Sequence, residues 1–210
     1  MNKLAKFWIR KLKLDKHPEG GYYANTYRSD RNVNLPGYTG HRSTCTVIYY
    51  LLTGKQFASF HIMKSDEIWH FYSGSSLTLH IIDAKGKLKK SFLGPKFDAG
   101  EQFQVTVKSD CWFAASVNKK ESYSLVGCTV SPGFDYKDWK IGNRKKLTEI
   151  YPQHKDVIES FTECPWFRIQ ESFDLELQIL SHPLSVGRIP FHSFSLQSIF
   201  KLPIKLIGYC

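Results

Sequence analysis

Between residues 44 and 130 the chain falls into about eight short apolar runs, each closed by a turn signal, and this rhythm narrows its possible folds most. Residues 44–52 (TCTVIYYLL) are β-branched and aromatic and end at Thr53-Gly54. Residues 57–63 alternate and stop at Lys64-Ser65-Asp66, and residues 67–72 stop at Ser73-Gly74. Ala84-Lys85-Gly86-Lys87 joins 77–83 to 88–93 as a hairpin turn. Lys108-Ser109-Asp110 joins 102–107 to 111–117, and 123–130 closes at Ser131-Pro132-Gly133. Evenly spaced short strands predict an all-β sandwich, jelly roll or closed barrel. One more strand is predicted over 23–28, after a turn forced by Pro18 and Gly20-Gly21, and 29–40 reads as a polar loop.

Helical spacing occurs at the two flanks of this β region. The basic segment MNKLAKFWIRKLKLDK sorts Leu4, Phe7, Trp8, Lys11 and Leu12 onto faces at helical intervals. Such a segment is compatible with a mitochondrial presequence, but the preferred reading is a first helix resting on the barrel. Over 145–162 Leu147, Ile150, His154, Val157, Ile158 and Phe161 follow the helical period, with Pro152 predicting a break or two short helices. The domain is therefore expected over 1–162. Residues 163–210, rich in Ser, Phe, Leu, Ile and isolated Pro, read as a C-terminal tail of unknown role.

The chain of 210 residues carries a net charge of +10. From Glu163 onward Arg168, Arg188, Lys201 and Lys205 balance Glu163, Glu171, Asp174 and Glu176, so the excess lies in 1–162. There the lysines form scattered pairs without a nucleic-acid signature, which argues against a nucleic-acid partner. No apolar run approaches the eighteen or so residues that a membrane span needs. The five cysteines form neither a CxxC pair nor a dense framework. An odd count without a secretory signal fits a reducing compartment, so a cytoplasmic location is expected. Ser59 and Cys111 have no base placed beside them by any motif. No glycine loop supports an ATP or dinucleotide cofactor.

Six blocks resemble one family in its order: HPEGGYY at 17–23, SFHIMKSDEIWHFYSG at 59–74, LGPKFDAGEQFQVTV at 93–107, CWFAA at 111–115, SLVGCTVSPGFDY at 124–136 and YPQH at 151–154. The family is DUF985 (Cupin_5) of the RmlC-like cupin superfamily, and the likeness covers roughly 4–162. It implies an all-β double-stranded β-helix, the cupin jelly roll, with an N-terminal helix and short C-terminal helices. It also implies a homodimer and a ligand pocket at the mouth of the barrel. Fold alone does not set function.

The general cupin metal motif implies ligands at His61, Met63, Glu67 and Phe113 of this chain. Only His61 and Glu67 are suitable donors, because a thioether is a poor ligand for hard or borderline cations. No metal cofactor is therefore expected; a divalent metal is the disfavoured alternative. Strand alternation puts His61 with Met63 on one face, and Glu67 with Trp69 and Phe71 on a face of the next strand. If those faces line the barrel, an imidazole and a carboxyl meet against aromatic walls, as acid–base chemistry needs. His61 and Glu67 are thus the candidate catalytic pair. His70, Trp69, Gln104, Trp112 and Arg28 are the candidate ligand-binding residues. His70 points away from Glu67 by simple alternation, and a bulge is needed to turn it inward.

Two functions compete on these residues. One is a binding module for a small polar ligand, with sugar-like or phosphorylated compounds as candidates. The other is a metal-free epimerase or isomerase in which His61 is the base and Glu67 its partner. A metal-dependent oxygenase or isomerase ranks behind both, since it needs further ligands such as His70 or Gln104.

Overall fold

The computed structural model describes residues 1–162. Helix α1 (Lys3–Lys11) starts at Asn2, whose side-chain oxygen accepts from the Leu4 and Ala5 amides, satisfying donors that a helix start leaves free. Thirteen strands follow. The first six are β1 (Asp15–Lys16), β2 (Tyr22–Arg28), β3 (Asn32–Val33), β4 (Arg42–Ser43), β5 (Thr46–Thr53) and β6 (Phe57–Met63). Next come β7 (Asp66–Gly74), β8 (Leu77–Ile82), β9 (Leu88–Leu93), β10 (Gln104–Val107), β11 (Trp112–Val117), β12 (Tyr123–Ser131) and β13 (Trp139–Ile141). Two short helices end the described chain, α2 (Arg144–Ile150) and α3 (Lys155–Ser160), with a 3-10 turn at Pro152–His154 between them. The predicted break at Pro152 falls there.

The strands form a six-stranded sheet, β1-β2-β5-β12-β7-β10, and a five-stranded sheet, β13-β6-β11-β8-β9, with every pair inside them antiparallel. β3 and β4 pair separately. This is a mostly β, jelly-roll fold, as the turn rhythm predicts. Alternation assigns the faces. Tyr50 and Leu52 of β5, Trp69 of β7 and Val126 of β12 meet Ala58, Phe113 and Leu79 in the core between the sheets. On the outer face of the larger sheet, Leu51 and Leu125 take Ala5, Trp8 and Ile9 of α1. On the outer face of the smaller sheet, Phe60, Ile82 and Ala114 take Leu147 of α2 and Ile158 of α3. The N-terminal segment is thus a helix resting on the barrel. Among the described residues no helix is long and apolar enough to cross a membrane. The expected tail, 163–210, lies outside the described residues.

Two details position the site. The register of β6 against β11 slips between Phe113↔His61 and Ala115↔Ala58, so β6 carries a bulge around Ser59 and Phe60. The freed Ser59 amide donates to the Glu19 carbonyl at 2.8 Å, tying the 17–21 turn onto the barrel. Gly20 is the residue that permits this docking. Its φ is +108°, and a Cβ there would lie 2.3 Å from the Phe57 carbonyl oxygen.

Candidate functional site

A cavity of about 140 Å³ opens between the sheets. Its deep wall holds Tyr50 from β5, His61 from β6, Glu67 and Trp69 from β7, and Cys128 from β12. The docked turn adds His17 and Glu19. Exposed Arg28 and Tyr136 mark its open end, and the Arg28 guanidinium donates to the Phe134 carbonyl at 3.1 Å.

Four of the residues singled out in the sequence, His61, Glu67, Trp69 and Arg28, therefore line one cavity. The other three lie elsewhere. His70 faces outward on β7, accepts from the Gln104 amide at Nδ1 (3.0 Å) and donates from Nε2 to Thr129 Oγ1 (3.0 Å). β7 carries no bulge at His70, where register with β12 and β10 is continuous, so alternation keeps it outside. Gln104, its exposed partner on β10, is spent on that contact. Trp112 packs on the outer face of the smaller sheet with Phe60, Leu147 and Ile158. None of these three reaches the cavity.

Glu19 is the residue that sequence reasoning missed, along with His17, Tyr50 and Trp139. A glutamate between Pro18 and Gly20-Gly21 looks like a solvated turn residue, yet Glu19 is 5% exposed. Its Oε1 accepts from the Trp139 indole N–H, and its Oε2 lies 3.4 Å from His61 Nδ1 and 3.8 Å from His17 Nδ1. Trp139 is itself fixed by its neighbour: buried Asp138 accepts two hydrogen bonds from buried Arg42, at 2.5 and 3.0 Å.

The hydrogen bonds assign opposite tautomers to the two histidines. His61 Nδ1 sits 2.8 Å from the Ser59 carbonyl, which only accepts, so Nδ1 carries the proton and Nε2 the free lone pair. His17 Nδ1 accepts from the Glu19 amide at 3.2 Å, so its proton is on Nε2. Burial lowers the His61 pKa to about 3 and the His17 pKa to about 4, so both are neutral at ordinary pH. With both imidazoles neutral, their contacts with Glu19 are not ion pairs.

Burial acts oppositely on the acids. It raises the Glu67 pKa to about 7, with Trp69 and the Cys128 thiol close enough to hold the shift back. Glu19 is raised well above its ordinary value by burial and by repulsion from Glu67, against the Trp139 hydrogen bond. Glu67 Oε2 and Trp69 Nε1 are buried without a hydrogen-bond partner among the described residues. An unpaired donor and an unpaired acceptor in one cavity cost stability unless something else satisfies them.

The donor set does not fit a cupin metal. Of the four positions the cupin resemblance implies as ligands, His61 and Glu67 carry donors but Met63 and Phe113 do not, and the Phe113 ring centroid lies 4.0 Å from that of His61, tilted at 59°. Among the described residues no three His, Cys, Asp or Glu side chains converge to hold an ion.

The comparisons with known proteins agree with this architecture. The family model described as Cupin superfamily (DUF985), Cupin_5, matches residues 6–142. A hypothetical protein from Leishmania major is 36% identical, with a TM-score of 0.71, covering 76% of this chain and 99% of its own. A Shewanella oneidensis protein is likewise 36% identical, with a TM-score of 0.70, covering 78% and 98%. A Saccharomyces cerevisiae protein, YML079W, is 29% identical over 143 residues, 62% of this chain and 71% of the yeast protein. The bulge that admits Glu19, the paired jelly-roll sheets and the family match over most of the described residues lead to one assignment: this chain belongs to the Cupin_5 (DUF985) family of the cupin superfamily.

Proposed function

We propose that the barrel binds one small, polar, single-ring molecule through Glu67 and Trp69. The observation that carries this reading is the unsatisfied pair, Glu67 Oε2 and Trp69 Nε1, buried in the wall of one cavity. A ligand edge with one donor and one acceptor satisfies both. Size sets the limit: a cavity of about 150 Å³ is known to take benzene, so about 140 Å³ suits one six-membered ring, a monosaccharide or heterocycle. A phosphate has only Arg28, at the open end, to meet it. The favoured ligand therefore carries no anionic group inside the barrel.

The test is a thermal-shift panel of monocyclic polar compounds on wild type and Trp69→Phe, which keeps an aromatic ring in the wall and removes the indole N–H together with the second ring. At a hundredfold excess over Kd a true ligand adds about 2.7 kcal/mol. That is about 5–10 °C for a domain of this size. The expected result is stabilisation by a subset of the panel that weakens in Trp69→Phe. A panel without any stabiliser, or equal shifts in both proteins, contradicts the proposal.

A second reading, metal-free acid–base catalysis, is favoured by one observation: the Glu67 pKa is pushed to about 7, where a general base works best. Burial supports Glu67 as the base and neutral His61, with its Nε2 lone pair, as a hydrogen-bond acceptor. This reverses the division of roles expected from the sequence. Deuterium uptake from solvent at a carbon next to the carbonyl of a bound compound, lost in Glu67→Gln, is the expected sign. Uptake that persists in Glu67→Gln removes Glu67 from the role.

A further inference from the structure

Resting on the ligand-cavity reading above, we infer that the molecule the barrel selects is a small organic cation, with a protonated nitrogen held by Glu67 within an aromatic enclosure. Glu19 and Glu67 are both buried in the same cavity, 5% and 6% exposed. Among the described residues the cavity lining includes one cationic side chain, Arg28, which sits at the open end and donates to the Phe134 carbonyl. The two histidines supply no positive charge, because the hydrogen bonds and burial hold both neutral. Two carboxyl groups thus face a ligand space without an internal counter-charge.

Glu19 is engaged by the Trp139 indole, whereas Glu67 Oε2 has no partner in hydrogen-bond geometry, the Trp69 indole and the Cys128 thiol lying only near its carboxyl, and it can take an N–H. Aromatic rings make up much of the remaining wall, beside Ile48, Met63 and Val130. Tyr50 and Trp69 stand at 84° to each other, and Phe134 and Tyr136 at 79°, so rings bound the space in more than one direction. Ring faces carry negative potential and attract cations, and aromatic enclosures recognise organic ammonium groups. An anion here meets two carboxyl groups at low dielectric. A neutral ligand leaves Glu67 uncompensated once it ionises. A cation replaces the proton that otherwise neutralises Glu67, which passes to solvent as the cation docks. The net charge of +10 does not oppose this, because surface charges are screened beyond about 8 Å at physiological salt.

The test uses three compounds of one outline and three charges: benzamidinium, benzamide and benzoate. Calorimetric titrations at pH 6 and pH 8 compare wild type with Glu67→Gln. The groups facing Glu67 are Glu19 and His17 on the turn, His61 on β6, and Tyr50 and Cys128 on β5 and β12. Of these the histidines titrate below the range used, and burial pushes the Tyr50 and Cys128 pKa values further up. Benzamidinium is expected to bind at least about tenfold tighter than benzamide, with benzoate weakest. Its affinity is expected to rise about tenfold from pH 6 to pH 8, as the Glu67 proton is lost. Both effects shrink in Glu67→Gln, which leaves Glu19 as the one buried carboxyl of the cavity, and the wild-type pH comparison stands even if that variant folds poorly. Benzamide or benzoate binding as tightly as benzamidinium overturns the cation while sparing the ligand cavity. So does benzamidinium binding that ignores pH, or binding by other panel members but by none of these three. Failure of this series and of the whole monocyclic panel removes both readings.

Discussion

Replacing Glu67 with Gln isolates the cost of burying an acid in the barrel wall. The side chain keeps its shape and its oxygen acceptor but never ionises. In the folded protein the Glu67 carboxyl has a pKa of about 7 against an ordinary 4.5. Each unit corresponds to about 1.36 kcal/mol, so a shift of about 2.5 units is about 3 kcal/mol. The sign follows from proton uptake. Between pH 4.5 and 7 the folded chain holds this proton and the unfolded chain has released it, so stability falls as pH rises. Below pH 4.5 both states are protonated and the penalty is absent; above pH 7 both are ionised and the penalty is complete. His61 and His17 act oppositely, losing stability as pH falls below about 6.5, but they are common to both proteins. Glu19 also titrates in both, with somewhat less repulsion in the variant. The difference in unfolding free energy, Glu67→Gln minus wild type, is therefore predicted to grow by about 3 kcal/mol from pH 4.5 to 8. That equals about 6–12 °C in Tm for a domain of this size. Urea denaturation of both proteins at half-unit pH steps measures it. Parallel stability curves would refute the reasoning, because an exposed or already ion-paired Glu67 gives no such divergence.

The remaining predictions concern placement. Nitrogen NMR of labelled histidine should find His61 as the Nδ1–H tautomer and His17 as the Nε2–H tautomer, with no titration of either near pH 6.5; a shared tautomer contradicts the hydrogen-bond assignment. Gly20→Ala should lose about 3 kcal/mol in urea unfolding, because the new Cβ combines positive φ with overlap on the Phe57 carbonyl. A neutral result there means that the 17–21 turn is not held as described. His70→Ala and Gln104→Ala should each cost about 1 kcal/mol or less and leave ligand affinity unchanged. A tenfold loss of affinity in either would bring the outer face of β7 back into the site.

The strands were legible because period-two patterning and turn residues act locally, within one run and its closing turn. Phe57–Met63 and Leu88–Leu93 have the predicted bounds, and others differ by one or two residues at the ends. β13 left no trace, since Trp139–Ile141 is too short to show alternation and is a strand only because β6 pairs with it. Alternation put Glu67 and Trp69 together, but it does not say which face of a strand buried on both sides is the inner one. Trp112 sits on such a strand: both faces of β11 are covered, one by the core and the other by α2 and α3. Glu19 was hidden for a different reason. Its burial depends on a bulge in β6 some forty positions away and on Trp139 beyond that, and no local pattern carries those contacts.

The most direct test of the ligand cavity is a crystal structure of the wild-type protein with the tightest compound from the panel, grown at pH 8. The account predicts the compound between the two sheets, with one polar atom in hydrogen-bond contact with Glu67 Oε2 and, for a compound that carries an acceptor, that acceptor at Trp69 Nε1. A compound seated on the outer face of either sheet, or inside the barrel without a polar atom at Glu67, contradicts it.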